Sequence, residues 1–148
     1  MKKFKFSLST VLSYKQQVLE ALQAEHAATI AEVHEQERIL QQLQDEYSTF
    51  AEEYRNRCRE GMEVREAVAH QAKLRARERE IEQQNVRLQQ ARNKEEAKRT
   101  EVVEAKKETS SLEKLQDKKR TEYTTDAAKS EEKFIEEFIS SQRAGQNR

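Results

Sequence analysis

The chain contains no proline, and Gly61 is its only glycine before Gly145, near the C terminus. Proline and glycine are the two residues that most disfavour the interior of a helix. A chain with one glycine between two long polar stretches therefore favours two long helices that fold back at a single point. Such a fold is suited to holding or bridging partners.

The composition does not fit an ordinary globular core. Charged residues make up 38% of the chain, hydrophobic residues 34%, and the mean hydropathy is −1.13. Compact domains have about 25% charged and about 45–50% apolar residues, whereas a coiled-coil seam needs only about two apolar positions in seven. Lys plus Arg and Asp plus Glu both number 28. Disordered chains tend to have a high net charge. This balance therefore favours helices with i,i+4 ion pairs over disorder.

The net charge of zero argues against nucleic acid as the main partner, because phosphate binding requires a basic face. The alternative is a nucleic-acid-binding arm, whose affinity for nucleic acid would fall steeply with salt concentration. No apolar run approaches the roughly 20 residues that span a bilayer, and no apolar segment follows the basic start of the chain as in a signal peptide. Cys58 is the single cysteine. These features predict a cytosolic protein without disulfides.

Apolar residues recur in both halves at the spacing of a coiled-coil seam. The strongest seam positions are Leu12, Leu19, Leu22, Val33, Leu40, Leu43 and Phe50 in the first half, and Leu74, Ile81, Leu88, Val102 and Leu112 in the second. Polar residues interrupt both stripes, among them Lys15, His26, Thr29 and Gln36, and Arg77, Gln84, Glu95, Lys98 and Thr109. The two stripes differ in phase by one residue across Gly61, which a single continuous helix would not show.

A fold near Met62 brings the two stripes face to face. This register places Leu22 opposite Val102, and it places the weak position His26 opposite Lys98. A shift of one residue would turn the second stripe away from the first. The two halves are therefore predicted to pair in an antiparallel arrangement.

The predicted fold is a single domain over residues 1–148, an all-α antiparallel two-helix coiled coil with a turn near Gly61 and a longer second helix. The first helix covers about 8–58, the second about 64–140, and 141–148 form a flexible tail. We expect a monomer when the chain is isolated. The alternative is a parallel homodimer, a generic scaffold or tether, in which the glycine lies inside a continuous helix at a cost of about 1 kcal/mol.

The predicted second helix extends beyond its partner, and this extension carries apolar residues. An unpaired apolar cluster on a helix is typical of a docking surface for another protein. The candidate docking residues are Tyr123, Phe134, Ile135, Phe138 and Ile139, together with Phe4, Phe6 and Leu8 near the N terminus. In the alternative interpretation, the N-terminal phenylalanines fold back on the second helix as a local cap.

The sequence predicts no enzyme activity, no cofactor and no bound metal. The chain has too few glycines for a phosphate-binding loop. His26, His34 and His70 lack the i,i+4 spacing of a helical metal pair, and Cys58 cannot complete a zinc site. A two-helix coiled coil also lacks the pocket that an acid–base pair of carboxylates needs to shift its pKa values.

Three motifs resemble the flagellar export protein FliJ family. The family's opening motif is matched by Phe4, Phe6, Leu8, Val11, Leu12, Lys15 and Glu20. The central motif is matched by Leu112–Leu115, Lys118, Lys119, Glu122 and Tyr123, and the closing motif by Glu131–Phe138. Glu132 and Glu136 stand where the family often has Gln and Asp. Gly61 and Met62 are similar to its turn region, so the resemblance covers nearly the whole chain.

The resemblance implies a non-enzymatic stalk, similar in shape to the rotor stalk of rotary ATP synthases. Its implied partners are the hexameric flagellar export ATPase, the cytoplasmic side of the membrane export gate, and export chaperones. The end with both termini would enter the ATPase ring and promote its assembly and activity. The implied location is the cytoplasm, peripheral to the membrane at the flagellar base, with a role in flagellum biogenesis, motility and chemotaxis. The stalk of a virulence type III secretion system is the related alternative.

The resemblance also implies an export-gate-docking surface near the turn. The matching positions on the first helix are Gln36, Leu40, Leu43 and Tyr47. On the second helix, Lys73, Arg77 and Gln84 stand where the family has bulkier or apolar groups. Leu40 and Leu43 are also seam positions, so a structural and a docking role are both open for them.

Overall fold

The computed structural model describes residues 2–147, which form two α-helices joined by a short connection. Helix α1 spans Ser9–Glu60 and helix α2 spans Val64–Gln146. The helices pack against each other as an antiparallel hairpin, and the described residues contain no strand. The prediction of an all-α two-helix coiled coil with a longer second helix is confirmed.

Gly61 separates the two helices. Its backbone φ is +104°, a conformation that glycine adopts readily and that side chains disfavour. Residues 61–63 form the connection, and the Glu63 carbonyl then accepts a hydrogen bond from the Ala67 amide at 3.0 Å. This break excludes the alternative in which one continuous helix runs through Gly61.

Helix α2 extends further than the sequence predicted. The helix continues to Gln146, whereas residues 141–148 were expected to be a flexible tail. Residue 148 lies outside the described part of the chain. No proline interrupts this stretch, and Gly145 costs a helix only about 1 kcal/mol relative to alanine. One glycine at the end of a long helix is therefore a weak stop signal.

The chain divides into two compact units. The first combines Met1–Glu20 with Val103–Arg148, and the second is Ala21–Val102. Each unit contains a segment of α1 packed against a segment of α2. Cross-helix ion pairs occur in both: Lys15 lies 2.7 Å from Glu108 in the first unit, and Lys98 lies 2.8 Å from Glu25 in the second.

The seam between the helices is narrow. Its buried apolar residues are Leu12, Leu88, Ala91 and Ala105. The other predicted seam residues are half-buried, namely Leu19, Leu22, Val33, Leu40, Leu43, Phe50, Leu74, Ile81, Val102 and Leu112. Two helices alone cannot enclose most of their facing side chains, because no third element covers the open sides of the seam.

Two polar residues lie deepest in the seam. Gln84 is 1% exposed, and its amide donates to the side-chain oxygen of Gln36 at 2.6 Å and to the Gln36 carbonyl at 3.1 Å. The buried Thr109 hydroxyl donates to the Ala105 carbonyl one turn earlier at 2.8 Å. These bonds satisfy both groups, which is the usual condition for burying a polar side chain.

The weak seam positions near His26 pair differently from the predicted register. His26 Nε2 lies 3.0 Å from Glu95 Oε1, whereas Lys98 pairs with Glu25. The predicted contact between His26 and Lys98 would have placed two basic groups together. The observed arrangement gives each of them a carboxylate partner.

Candidate docking surfaces

Residues 2–8, which we call the N-terminal strap, lie against α2. The Phe4 ring packs on Tyr123 with 5.6 Å between ring centroids, and the Arg120 guanidinium lies 5.5 Å from the centre of the Phe4 ring. The Tyr123 hydroxyl donates to the Lys2 carbonyl. Phe6 is buried, with 8% of its surface exposed. The strap is thus fixed by two aromatic anchors and a cation–π contact.

This packing divides the eight predicted ATPase-docking residues into two groups. Phe4, Phe6 and Tyr123 form the local cap that the alternative interpretation described. Phe6 in particular is not an exposed docking group, because it is buried. Leu8 is 37% exposed, at the edge of the cap. The other four residues lie further along α2.

Those four residues form an exposed apolar stripe on α2. Phe134 is 69% exposed, Ile135 55%, Phe138 56% and Ile139 45%. Their i, i+1, i+4 and i+5 spacing places them on one side of the helix. All residues of 128–147 are exposed. This apolar stripe therefore has no partner among the described residues.

The stripe is open because the covering segments stop before it. Helix α1 starts at Ser9, and two turns later Gln16 donates a hydrogen bond to Glu113 of α2. The strap then covers α2 as far as the neighbourhood of Tyr123 and Asp126. Beyond that point α2 continues alone to Gln146.

Four carboxylates lie in the same stretch of α2 as the apolar stripe. We call Glu131, Glu132, Glu136 and Glu137 the acidic border. All four are exposed, and none of them forms an ion pair within residues 2–147. Glu131 lines a shallow depression with Phe134 and Ile135. This part of the helix therefore combines unpaired negative charge with exposed apolar surface.

The predicted gate-docking residues lie in the second unit and contribute to the seam. Gln36, Leu40, Leu43 and Tyr47 are all half-buried. Gln36 accepts the bond from Gln84 and donates to Glu32 at 2.7 Å. The Tyr47 hydroxyl donates to Glu78 on α2 at 2.8 Å, and this bond raises the pKa of Tyr47 above its ordinary value of 10.0. These residues have structural contacts and keep part of their surface open.

The charged residues on the second helix near this surface also contact α1. The Lys73 ammonium lies 5.9 Å from the centre of the Phe50 ring, and Arg77 lies 3.4 Å from Glu46. Gln84, the third departure from the family pattern, is the buried residue described above. All three therefore contribute to holding the helices together.

Two polar clusters were missed by sequence reasoning. Glu95 accepts a hydrogen bond from His26 at 3.0 Å. The Arg99 guanidinium also donates to both Glu95 carboxylate oxygens, at 2.6 and 2.8 Å. Closer to the turn, the His70 ring packs on Phe50 and Tyr54 with centroid distances of 5.5 and 5.6 Å. Periodicity marks such residues as weak seam positions, but it does not say which partners their polar atoms find.

Neither a metal site nor a membrane span occurs in the described chain. Across residues 2–147, no three His, Cys, Asp or Glu side chains are grouped so that they could hold a metal ion. Neither helix, within the same residues, contains an apolar window long enough to cross a bilayer. The surfaces that the structure offers are thus polar and apolar faces of two helices.

The chain matches a known protein family. A protein-family model described as "Flagellar FliJ protein" matches residues 4–148. Searches of curated proteins and of solved structures return no match. The matched range includes residues 4–8 of the strap, both helices and the apolar stripe.

Proposed function

The chain belongs to the flagellar FliJ family, a family of flagellar protein export, and we propose that it is the stalk of the export ATPase. In this proposal the chain inserts into the central hole of the ATPase hexamer and promotes its assembly and activity. It links the ring to the membrane export gate and to substrate chaperones at the cytoplasmic face of the membrane. It has no catalytic activity of its own.

The apolar stripe is the observation that carries this proposal. Phe134, Ile135, Phe138 and Ile139 are all about half exposed or more on a helix without a neighbour. Complete burial of each such side chain contributes about 1.5–3 kcal/mol. Four of them are enough to stabilise a complex after part of that gain is offset by the entropy lost on association.

One chain inside a ring of six subunits presents a different face to each subunit. Its position then depends on which subunits have bound nucleotide, and its presence favours the closed ring over separate subunits. The strap supports this role, because the contacts of Phe4 and Lys2 with Tyr123 hold it on α2 in the unit that contains the stripe.

We propose the half-buried set Gln36, Leu40, Leu43 and Tyr47 as the gate-docking residues. Each leaves part of its side chain open to a partner while it contributes to the seam. The charged neighbours Lys73 and Arg77 would orient the export gate as it approaches, since charges at the edge of an interface affect the association rate more than the affinity.

ATPase stimulation tests the proposed function. The variant with Phe134→Ser and Phe138→Ser removes two apolar groups from an exposed surface and leaves the seam intact. We expect it to lose most of its ability to raise the rate of ATP hydrolysis by the purified export ATPase, because the ring contact loses its largest side chains. A phosphate-release assay over a range of chain concentrations measures this effect.

The matched control is Val64→Ser with Val68→Ser, which removes two exposed apolar side chains from the other end of α2. This control should stimulate hydrolysis as the wild type does. Full stimulation by the Phe134 and Phe138 variant, with an unchanged helical circular dichroism spectrum, would refute the assignment of the stripe to the ATPase.

A further inference from the structure

Two carboxylates, Glu131 and Glu132, lie on the side of α2 that carries the apolar stripe. Residues 129–137 contain the four carboxylates of the acidic border and two lysines, Lys129 and Lys133. At about 100° per residue, Glu131 falls in the same sector of the helix as the stripe, and Glu132 falls at its margin beside Ile139. Both lysines fall on roughly the opposite side, between Glu136 and Glu137.

The acidic border is also not neutralised within the chain. Elsewhere on the helices, carboxylates such as Glu25, Glu95 and Glu108 have a basic partner within 3.0 Å. The four residues of the acidic border have no such partner within residues 2–147. Any surface that covers the stripe must therefore either bring basic groups or bury carboxylates without compensation, which is costly.

From this arrangement we infer that the partner surface for the stripe is an apolar groove bordered by arginine or lysine side chains. The inference rests on the proposed function, so the groove belongs to the export ATPase. Phe134, Ile135, Phe138 and Ile139 enter the groove. Glu131 and Glu132 pair with its basic rim, where complementary charges steer association and fix the register of the helix.

The same charges disfavour two other occupants. A second copy of the chain packed on the stripe would bring its own acidic border close to the first, and like charges at such distances repel. A bilayer with anionic lipids attracts basic segments and repels acidic ones. A protein groove with basic edges is the occupant whose charge complements this surface.

The test is the affinity of the full chain for the purified export ATPase, assembled with a non-hydrolysable ATP analogue. The variant Glu131→Lys with Glu132→Lys should bind about tenfold more weakly or worse at about 0.15 M salt, mainly through a slower association rate. Wild-type binding should weaken as salt is raised, and the difference between the two proteins should shrink.

The matched control is Glu52→Lys with Glu53→Lys. These are also adjacent, exposed carboxylates without an ion pair in the described residues, and the change in net charge is the same. The control should bind as the wild type does, which separates an effect of the acidic border from one of overall charge.

The possible outcomes separate the two proposals. If the wild type does not bind the ATPase, the proposed function is wrong and this inference falls with it. If the wild type binds and the Phe134 and Phe138 variant does not, but the Glu131 and Glu132 variant binds as tightly as the wild type, the basic groove is wrong and the function stands. Co-sedimentation with phosphatidylglycerol vesicles, or dimerisation lost on changing the stripe, would also overturn the inference.

Discussion

Glu95 shows how a single polar residue can support a weak part of the seam. Its side chain is 13% exposed and accepts hydrogen bonds from His26 across the seam and from Arg99 in its own helix. These two contacts, the His26 bond first, lower the pKa of Glu95 below its ordinary value of 4.5. The folded hairpin therefore favours the ionised carboxylate.

The sign of the pH dependence follows. Because the pKa of Glu95 is lower in the folded chain than in the unfolded chain, its contribution is fully present above the unfolded value of about 4.5 and is lost as the pH falls through the folded value. We expect Glu95→Gln to lose less stability than the wild type between about pH 5 and pH 3. Urea unfolding at a series of pH values measures this.

The control for this prediction is Glu82→Gln, an exposed carboxylate without an ion pair in residues 2–147. It should follow the wild-type pH profile. A Glu95→Gln profile that is parallel to the wild-type profile over the acid range would show that the contacts of Glu95 do not contribute to folding.

Gln84 is a second residue on which the seam depends. It is almost completely buried and donates both to the side chain and to the carbonyl of Gln36. Gln84→Ala removes the donor to the Gln36 side-chain oxygen and the second donor to the Gln36 carbonyl, and it opens a space between the helices. We expect a loss of about 1–3 kcal/mol in the free energy of unfolding, measured by chemical denaturation.

The comparison variant is Gln89→Ala, an exposed glutamine that bonds only to Asn93 in its own helix. It should change the stability by no more than about 0.5 kcal/mol. Equal effects of the two substitutions on the free energy of unfolding would mean that the contacts of Gln84 with Gln36 do not stabilise the hairpin.

At the scale of the elements, the connection between the helices depends on the backbone of Gly61. A Cβ atom added there would meet no atom within 4 Å, but the φ of +104° is strained for any side chain. We expect Gly61→Ala to destabilise the hairpin by about 1–2 kcal/mol, entirely through the backbone. Thermal unfolding followed by circular dichroism measures this.

Gly145 provides the matched control, because it lies in helix α2, has no positive φ and also has open space around it. Gly145→Ala should leave the stability unchanged or raise it by up to about 1 kcal/mol. If both substitutions behave alike, the turn conformation at Gly61 is not what sets the end of α1.

The elements also show where sequence reasoning succeeds and where it stops. The missing proline, the phase slip and Gly61 were sufficient to predict two helices and their turn, since these are local signals. The end of α2 was placed too early, because one glycine is a weak signal. The cap in which Phe4 packs on Tyr123 and Phe6 is buried was left as an alternative, because sequence alone does not show whether an apolar residue is covered or exposed.

Polar contacts inside the seam were the least predictable feature. Gln84 and Thr109 occupy seam positions by spacing, yet nothing in the spacing says that they are the most buried polar side chains. Their burial depends on acceptors from the opposite helix or the preceding turn, which only the folded chain provides. The four stripe residues are exposed in the structure, and their role in docking stays a prediction. The absence of ion pairs at the acidic border became apparent only from the ion pairs of the described residues.

For the whole molecule, the central claim is that one chain doubles back on itself. The ion pair between Lys98 and Glu25, at 2.8 Å, provides a direct test because a zero-length carbodiimide reagent joins such a pair covalently. In a mixture of ordinary and nitrogen-15-labelled chains, mass spectrometry distinguishes a link within one molecule from a link between two.

The measurement is the isotope composition of the cross-linked peptides that contain Glu25 and Lys98. We predict that the two linked peptides always carry the same label, since both residues come from one folded hairpin. Linked peptides that combine labelled and unlabelled halves in statistical proportion would mean that the helices pair between chains, and would contradict the account.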